Sequence, residues 1–258
     1  MAFSYSPKIV TDGLIFYVDA QNSRSYEPDL SKVYSLARKE PGASLVYMDN
    51  EIDLQQPPPP DPGDGIVLAN DSGILSFQGD GTDEFLRSNG SPFATNIGPD
   101  CTFDVWLNYV RGDAAAAAIF CGGAGGSSAR WWLYTYSDLI SWRVADGVSA
   151  AAINYPDYTA ASYPNDWNNL TGTISANIDG VTSTMRIYLN GELVSENTSV
   201  GIIAERATAT REPELGRGGS SGSQRMAGKI ANAKIYNREL SAEEVLRNYT
   251  ALKTRFGL

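Results

Sequence analysis

The stretch Arg130-Trp131-Trp132-Leu133-Tyr134-Thr135-Tyr136-Ser137-Asp138-Leu139-Ile140-Ser141-Trp142-Arg143-Val144-Ala145 decides the fold class. Two runs rich in aromatic and β-branched residues flank Ser137-Asp138, a pair suited to a tight turn. Side chains alternate along a strand. A two-residue hairpin here therefore puts Trp131, Leu133, Ile140, Trp142 and Val144 on one face. Trp132, Tyr134, Tyr136 and Arg143 then share the opposite face, with Trp132 across from Arg143. The first face is core. The second carries three aromatics and a cation, an unusual load for a plain solvent face.

Working outward, the same signal recurs. Short strand patterns occupy 73–78, 84–87, 101–110 and 116–121 before the hairpin, and 168–176, 184–190, 192–196 and 229–236 after it. Gly, Asn and Asp separate them. Many short strands at regular spacing, with almost no helical periodicity, predict an all-β sandwich or barrel. Asn190-Gly191 sits at the centre of a second hairpin, where a type I′ turn needs positive φ at both positions. The first element is the apolar run Gly13 to Ala20. The segment from Glu27 to Ser72 is less regular and contains Pro57 to Pro60 followed by Asp61-Pro62-Gly63-Asp64-Gly65, which excludes a central strand. It reads as a surface insert over about 50–66, serving either as a docking ligand or as a spacer.

One helix is legible. Ser241 and Glu244 form a capping box, and Leu240 and Val245 stand at hydrophobic-staple positions. Val245, Tyr249 and Leu252 make one apolar stripe, Glu243 and Arg247 are spaced to pair outside it, and Arg255 to Leu258 read as a short tail. The expected organisation is an N-terminal arm over 1–12 and one sandwich over 13–258, closed by a helix over about 242–253.

Composition narrows the function. The chain has 258 residues, 42% of them hydrophobic, enough for a full core without disulfide or metal staples. A net charge of −10 argues against nucleic-acid binding. The absence of histidine removes Ser-His-Asp and Cys-His catalysis and histidine-ligated zinc. Cys101 and Cys121 flank a plausible hairpin near Arg111-Gly112-Asp113 and are either cross-strand partners or two buried thiols. The N-terminus has no secretory pattern, and no apolar run approaches the roughly 18 residues of a membrane span.

The opening Asp12-Gly13-Leu14-Ile15-Phe16-Tyr17-Val18-Asp19-Ala20, with Asn22, Ser23 and Tyr26, resembles the start of laminin-G-like domains in tailed-phage virion proteins. The likeness continues through Phe77-Gln78-Gly79, Phe85, Thr102 to Trp106, Met185 to Leu193 and Leu215-Gly216-Arg217. It is strongest over Ile235-Tyr236-Asn237-Arg238-Glu239-Leu240-Ser241-Ala242-Glu243-Glu244-Val245, then Asn248-Tyr249 and Arg255-Phe256-Gly257. These stretches are similar to proteins of marine and cyanobacterial phages. The resemblance implies a concanavalin A-like jelly roll and a place on the virion surface.

That superfamily includes glycosidases that carry a Glu-x-Asp-x-x-Glu strand. Glu51-Ile52-Asp53-Leu54-Gln55-Gln56 matches its first half, but Gln56 cannot donate and recover a proton, so no enzyme is expected. Laminin-G-like domains often hold calcium at the sandwich rim, and Asp80, Asp83 and Glu84 in a glycine-containing turn are the candidate ligands; no other cofactor is implied. Trp132, Tyr134, Tyr136 and Arg143 could stack a sugar or be covered by loops, the helix or a neighbouring subunit. Gly122 to Gly126 precedes a strand, not a helix, which argues against a phosphate cradle. The expected function is a non-enzymatic virion structural protein, assembled in the host cytoplasm, with head (capsid) decoration leading. The alternative is a tail-fibre or appendage adhesin for host-surface carbohydrate. Expected partners are other virion proteins and further copies of the chain. Residues 1–10 are the expected contact segment.

Overall fold

The computed structural model describes residues 8–37, 47–52, 66–80, 84–88, 100–109, 116–123, 129–136, 139–146, 150–156, 158, 166–177, 179–201, 214–218 and 224–258. In chain order the strands are β1 (Leu14–Asp19), β2 (Lys32–Tyr34), β3 (Tyr47–Ile52), β4 (Val67–Asp71), β5 (Ile74–Asp80), β6 (Glu84–Ser88), β7 (Cys101–Tyr109), β8 (Ala116–Gly123) and β9 (Ala129–Tyr136). They continue as β10 (Leu139–Asp146), β11 (Ala150–Tyr155), β12 (Asn168–Ala176), β13 (Thr182–Leu189), β14 (Glu192–Gly201), β15 (Glu214–Leu215), β16 (Arg217–Gly218), β17 (Gln224–Arg225) and β18 (Ala227–Tyr236). Helix α1 (Ala242–Leu252) follows.

Two antiparallel sheets face each other. The first runs β14-β13-β12-β7-β18-β5-β4, with β1 also paired to β18, and the second runs β11-β10-β9-β8-β15-β6-β3-β2. Their inner faces interdigitate. Phe103 of β7 lies 4.3 Å from Trp131 and 5.2 Å from Trp142, ring centroid to centroid, so one aromatic of the first sheet wedges between two of the second. The indole N–H of Trp142 donates to the Thr173 carbonyl at 2.9 Å, which satisfies its buried polar atom. Gly172 makes room for this indole. A Cβ there would stand 2.8 Å from Trp142 Cδ2.

The predicted hairpins are present. In β9–β10 the pairs run Leu139 with Tyr136 through Arg143 with Trp132, the expected register. Asn190 and Gly191 adopt φ of 53° and 81°, as a type I′ turn requires. Residues 32–34, 47–52, 67–71 and 150–155 also form strands. The first two are short pieces at one end of the second sheet, and β3 overlaps the start of the expected insert, whose proline run lies outside the described residues. The chain between Cys101 and Cys121 is not a hairpin. Cys101 pairs with Ile174 in the first sheet, whereas Cys121 pairs with Trp132 in the second, so the connection crosses between sheets.

The chain's own termini close the outer face of the first sheet. Trp106 on β7 stacks on Phe256 at 4.0 Å and on Tyr249 at 5.6 Å, and Trp167 packs on Phe256 at 5.1 Å. Arg255 to Leu258 are therefore a docked segment, not a loose tail. Arg255 Nη1 meets Asp19 Oδ1 at 2.7 Å and ties the end of the chain to β1. The start is held too. Val10 N–H donates to Asn248 Oδ1 at 2.8 Å, the Tyr236 hydroxyl donates to the Val10 carbonyl at 3.1 Å, and Arg247 Nε donates to the Lys8 carbonyl at 2.7 Å. Residues 8–10 of the expected contact segment thus pack within their own domain, and Arg247 turns toward Lys8. Residues 1–7 lie outside the described residues.

Beneath this cover lies a polar layer. Lys234 Nζ is 2.7 Å from Asp104 Oδ1 and 2.9 Å from Asn232 Oδ1, and the side chains of Lys234 and Asp104 are 0% exposed. Burial pushes the Tyr17 and Tyr236 phenols well above their ordinary range.

Candidate functional site

With one sheet closed, the outward face of the second sheet is where the predicted aromatics lie. Strand pairing sets up one row across it: Ala152, Arg143, Trp132, Cys121, Glu214, Arg87, Asp49 and Lys32. Arg143, Trp132, Arg87 and Lys32 face away from the core because their strand neighbours Val144, Leu133, Leu86 and Val33 point into it.

At one end of the row the Arg143 guanidinium lies 5.3 Å from the Trp132 ring centre. Tyr134 stands edge-on to Trp132, at 6.2 Å and 79°. Three of the four expected residues are thus brought together. Trp132 itself is only 9% exposed, while Tyr134 and Arg143 are partly exposed. Of the two alternatives, a sugar-stacking platform or a covered face, the tryptophan fits the second: it is covered, with Arg143 over its ring and Tyr134 at its edge. The sheet pairing places Tyr136 at the end of β9, and its side chain lies outside the described residues.

Further along the row is a second arginine–aromatic unit that the sequence reading did not single out. Phe85 is held between Arg217, 4.2 Å from its ring centre, and Arg87 at 5.0 Å. Glu214 is 1% exposed. Its carboxylate meets Arg87 Nε at 3.2 Å and Arg217 Nε at 3.9 Å. The alternation Phe85-Leu86-Arg87, with Leu86 in the core, held the signal for the first half of this unit. Glu214 and Arg217 gave none, since strands of two residues have no readable period.

The row offers little for hydrolysis. A retaining or inverting glycosidase needs two carboxyl groups facing one cleft. Glu214 is buried, its carboxylate is engaged by Arg87 and Arg217, and among the described residues no second carboxyl group stands opposite it. Glu51 lies on β3 in register with Phe85, and Asp53 and Gln56 lie outside the described residues. Among the described residues no group of three metal-ligating side chains occurs. The calcium candidates fall largely outside that statement: Asp80 ends β5 and Glu84 begins β6, the side chains of both are outside the described part, and so is all of Asp83. Among the described residues no helix is long and apolar enough to cross a membrane.

The fold and this face define a concanavalin A-like sandwich. Residues 80–246 match the model of Laminin_G_3, the concanavalin A-like lectin/glucanases superfamily, and the chain belongs to that family. No curated protein matches the sequence. Among solved structures it is similar to the receptor-binding domain of botulinum neurotoxin type G, with TM-score 0.61 and 13% identity over 92% of this chain and 51% of that one. The binding domain of botulinum neurotoxin DC in complex with SialylT gives TM-score 0.61 and 13% identity over 94% of this chain and 52% of that one. A third structure comes from work on botulinum neurotoxin type C, titled as entering cells through two ganglioside molecules, with TM-score 0.61, 12% identity and cover of 94% and 52%. At such identities the likeness is one of fold, and the chain spans about half the length of these structures.

Proposed function

We propose that this chain is a non-catalytic module of a tailed-phage virion surface, which closes one sheet against its own termini and turns the outward face of the other to a partner. The observation that carries this reading is the asymmetry of the two faces. The first sheet is sealed by α1, Phe256 and Val10. The second carries the partly exposed Arg143, Tyr134 and Arg87, with Trp132, Phe85, Glu214 and Arg217 buried beside them, and among the described residues no paired carboxylates poised for hydrolysis. The virion assignment draws on the likeness of the opening and closing stretches to phage proteins. Those stretches meet in space at the Asp19–Arg255 ion pair, so they form one structural unit. Head decoration is the leading role, with capsid proteins and further copies of the chain as neighbours.

A second reading, an appendage adhesin for host glycan, is favoured by the partly exposed Tyr134 and Arg143. It also accords with a lectin-containing superfamily and with neighbours whose titles name ganglioside and SialylT, although those titles describe longer proteins. Particles of the virus that encodes the chain, banded on a density gradient and examined by mass spectrometry, are expected to retain it in many copies. Particles lacking it would contradict the virion role, and release of reducing sugar from any glycan would contradict the non-catalytic one.

A further inference from the structure

We propose that Arg143 and Tyr134 form a recognition site for an acidic saccharide, with Trp132 as the support that fixes the guanidinium and not as a stacking platform. This rests on the adhesin reading and specifies its ligand.

Three observations converge. First, Arg143 is held over Trp132, and among the described residues no carboxylate pairs with it. Arg247, which likewise meets no carboxylate among the described residues, donates instead to the Lys8 carbonyl. Arg87, Arg186, Arg217, Arg238 and Arg255 each meet a carboxylate. The carboxylate next along the row, Glu214, is engaged by Arg87 and Arg217.

Second, Ser141 lies two residues before Arg143 on the same face, across from Tyr134, and its fully buried hydroxyl has no hydrogen-bond partner. A buried polar group left unpaired costs about 1–3 kcal/mol, so a ligand oxygen that parts Tyr134 from Arg143 and displaces the cover over Ser141 would gain by satisfying it.

Third, the Trp132 ring is 9% exposed and lies beneath Arg143, so a neutral sugar has no open indole face on which to stack. The patch instead presents a guanidinium with five N–H donors and no acceptor beside the partly exposed Tyr134, with the Ser141 hydroxyl buried beneath. That donor-rich set fits a carboxylate or sulfate oxygen. The partly exposed Tyr134 ring, set edge-on to Trp132, gives the sugar body an apolar edge beside the charge.

The test is calorimetric titration of the full chain with trigalacturonate, a sulfated galactose trisaccharide and uncharged galactotriose. One or both acidic sugars should bind, and comparison of the two separates carboxylate from sulfate recognition. Galactotriose should bind at least about tenfold more weakly, the scale of one charge-assisted contact. Arg143→Gln should lower acidic-sugar affinity by about tenfold or more with the melting temperature retained, and Tyr134→Phe, which removes a single hydroxyl, should lower it less. Equal binding of galactotriose, unchanged in Arg143→Gln, would overturn acid selectivity while leaving glycan binding in place. No binding of any of the three would overturn the site and the adhesin reading together.

Discussion

Lys234 and Asp104 face each other across β18 and β7 with no exposure to solvent, and neither charge would be tolerated there alone. Their 2.7 Å contact is reinforced by Asn232 on the lysine and by Thr171 Oγ1 at 3.3 Å on the carboxylate. Removing one partner leaves a buried charge uncompensated, whereas replacing both with apolar residues removes the desolvation cost along with the attraction. Lys234→Ala is therefore expected to destabilise the domain by about 3–5 kcal/mol, and Lys234→Met with Asp104→Leu by much less, as read from urea unfolding midpoints. Equal losses in the single and double variants would refute the pairing. Sequence reading had no access to this pair, because 130 positions separate its members and nothing local marks them. The neighbouring arginines tell the opposite story. Arg143 was legible because a short hairpin fixes its register against Trp132, whereas Arg217 depends on strands brought together from remote parts of the chain.

Among the elements, α1 shows how local chemistry sets a boundary. Ser241 Oγ accepts from Glu244 N–H at 3.3 Å, and Glu244 Oε2 accepts from Ser241 N–H at 3.0 Å, completing the capping box read from the sequence. Arg238 grips the same Glu244 through both guanidinium nitrogens, at 2.7 and 2.6 Å, and holds its carboxyl below the usual glutamate range. Because the folded state favours the ionised form, this contribution is present above the unfolded pKa and is lost as pH falls through the lower folded value. Ser241→Ala is expected to cost about 1 kcal/mol at neutral pH. The seal over the first sheet should also loosen on acidification below about pH 4.5, seen as faster amide exchange in α1. A helix whose exchange does not respond to acid would count against this cap. The hydrophobic staple held as expected, with Leu240 and Val245 both in the cluster around Tyr236. What could not be read was the destination of Phe256, since no local pattern specifies the Trp106 and Trp167 rings that receive it.

At the scale of the molecule, the periodicity of the strands gave the fold class, and the hairpins gave two registers. The order of strands within each sheet did not follow, because β7–β18, β15–β6 and β3–β6 pair residues far apart in sequence and leave no short-range signature. The pairing of β7 with one sheet and β8 with the other also removes the hairpin that would have set Cys101 opposite Cys121, and Cys101 is a buried thiol, the other alternative. The candidate site was half legible for the same reason. Its β9–β10 end was present in the alternation of one hairpin, while its Glu214 end exists only once eight strands are assembled. The whole then has a simple division of labour: termini, helix and polar layer close one face, and the opposite face leaves Arg143 and Tyr134 partly exposed at its β9–β10 end. The most direct test is a broad glycan array probed with the full chain, first with calcium and then with chelator. The account predicts signals confined to acidic glycans and unchanged by the chelator, since Arg143 and Tyr134 need no metal. Signals on neutral glycans, or signals abolished by chelation and so assigned to the turn of Asp80, Asp83 and Glu84, would contradict it.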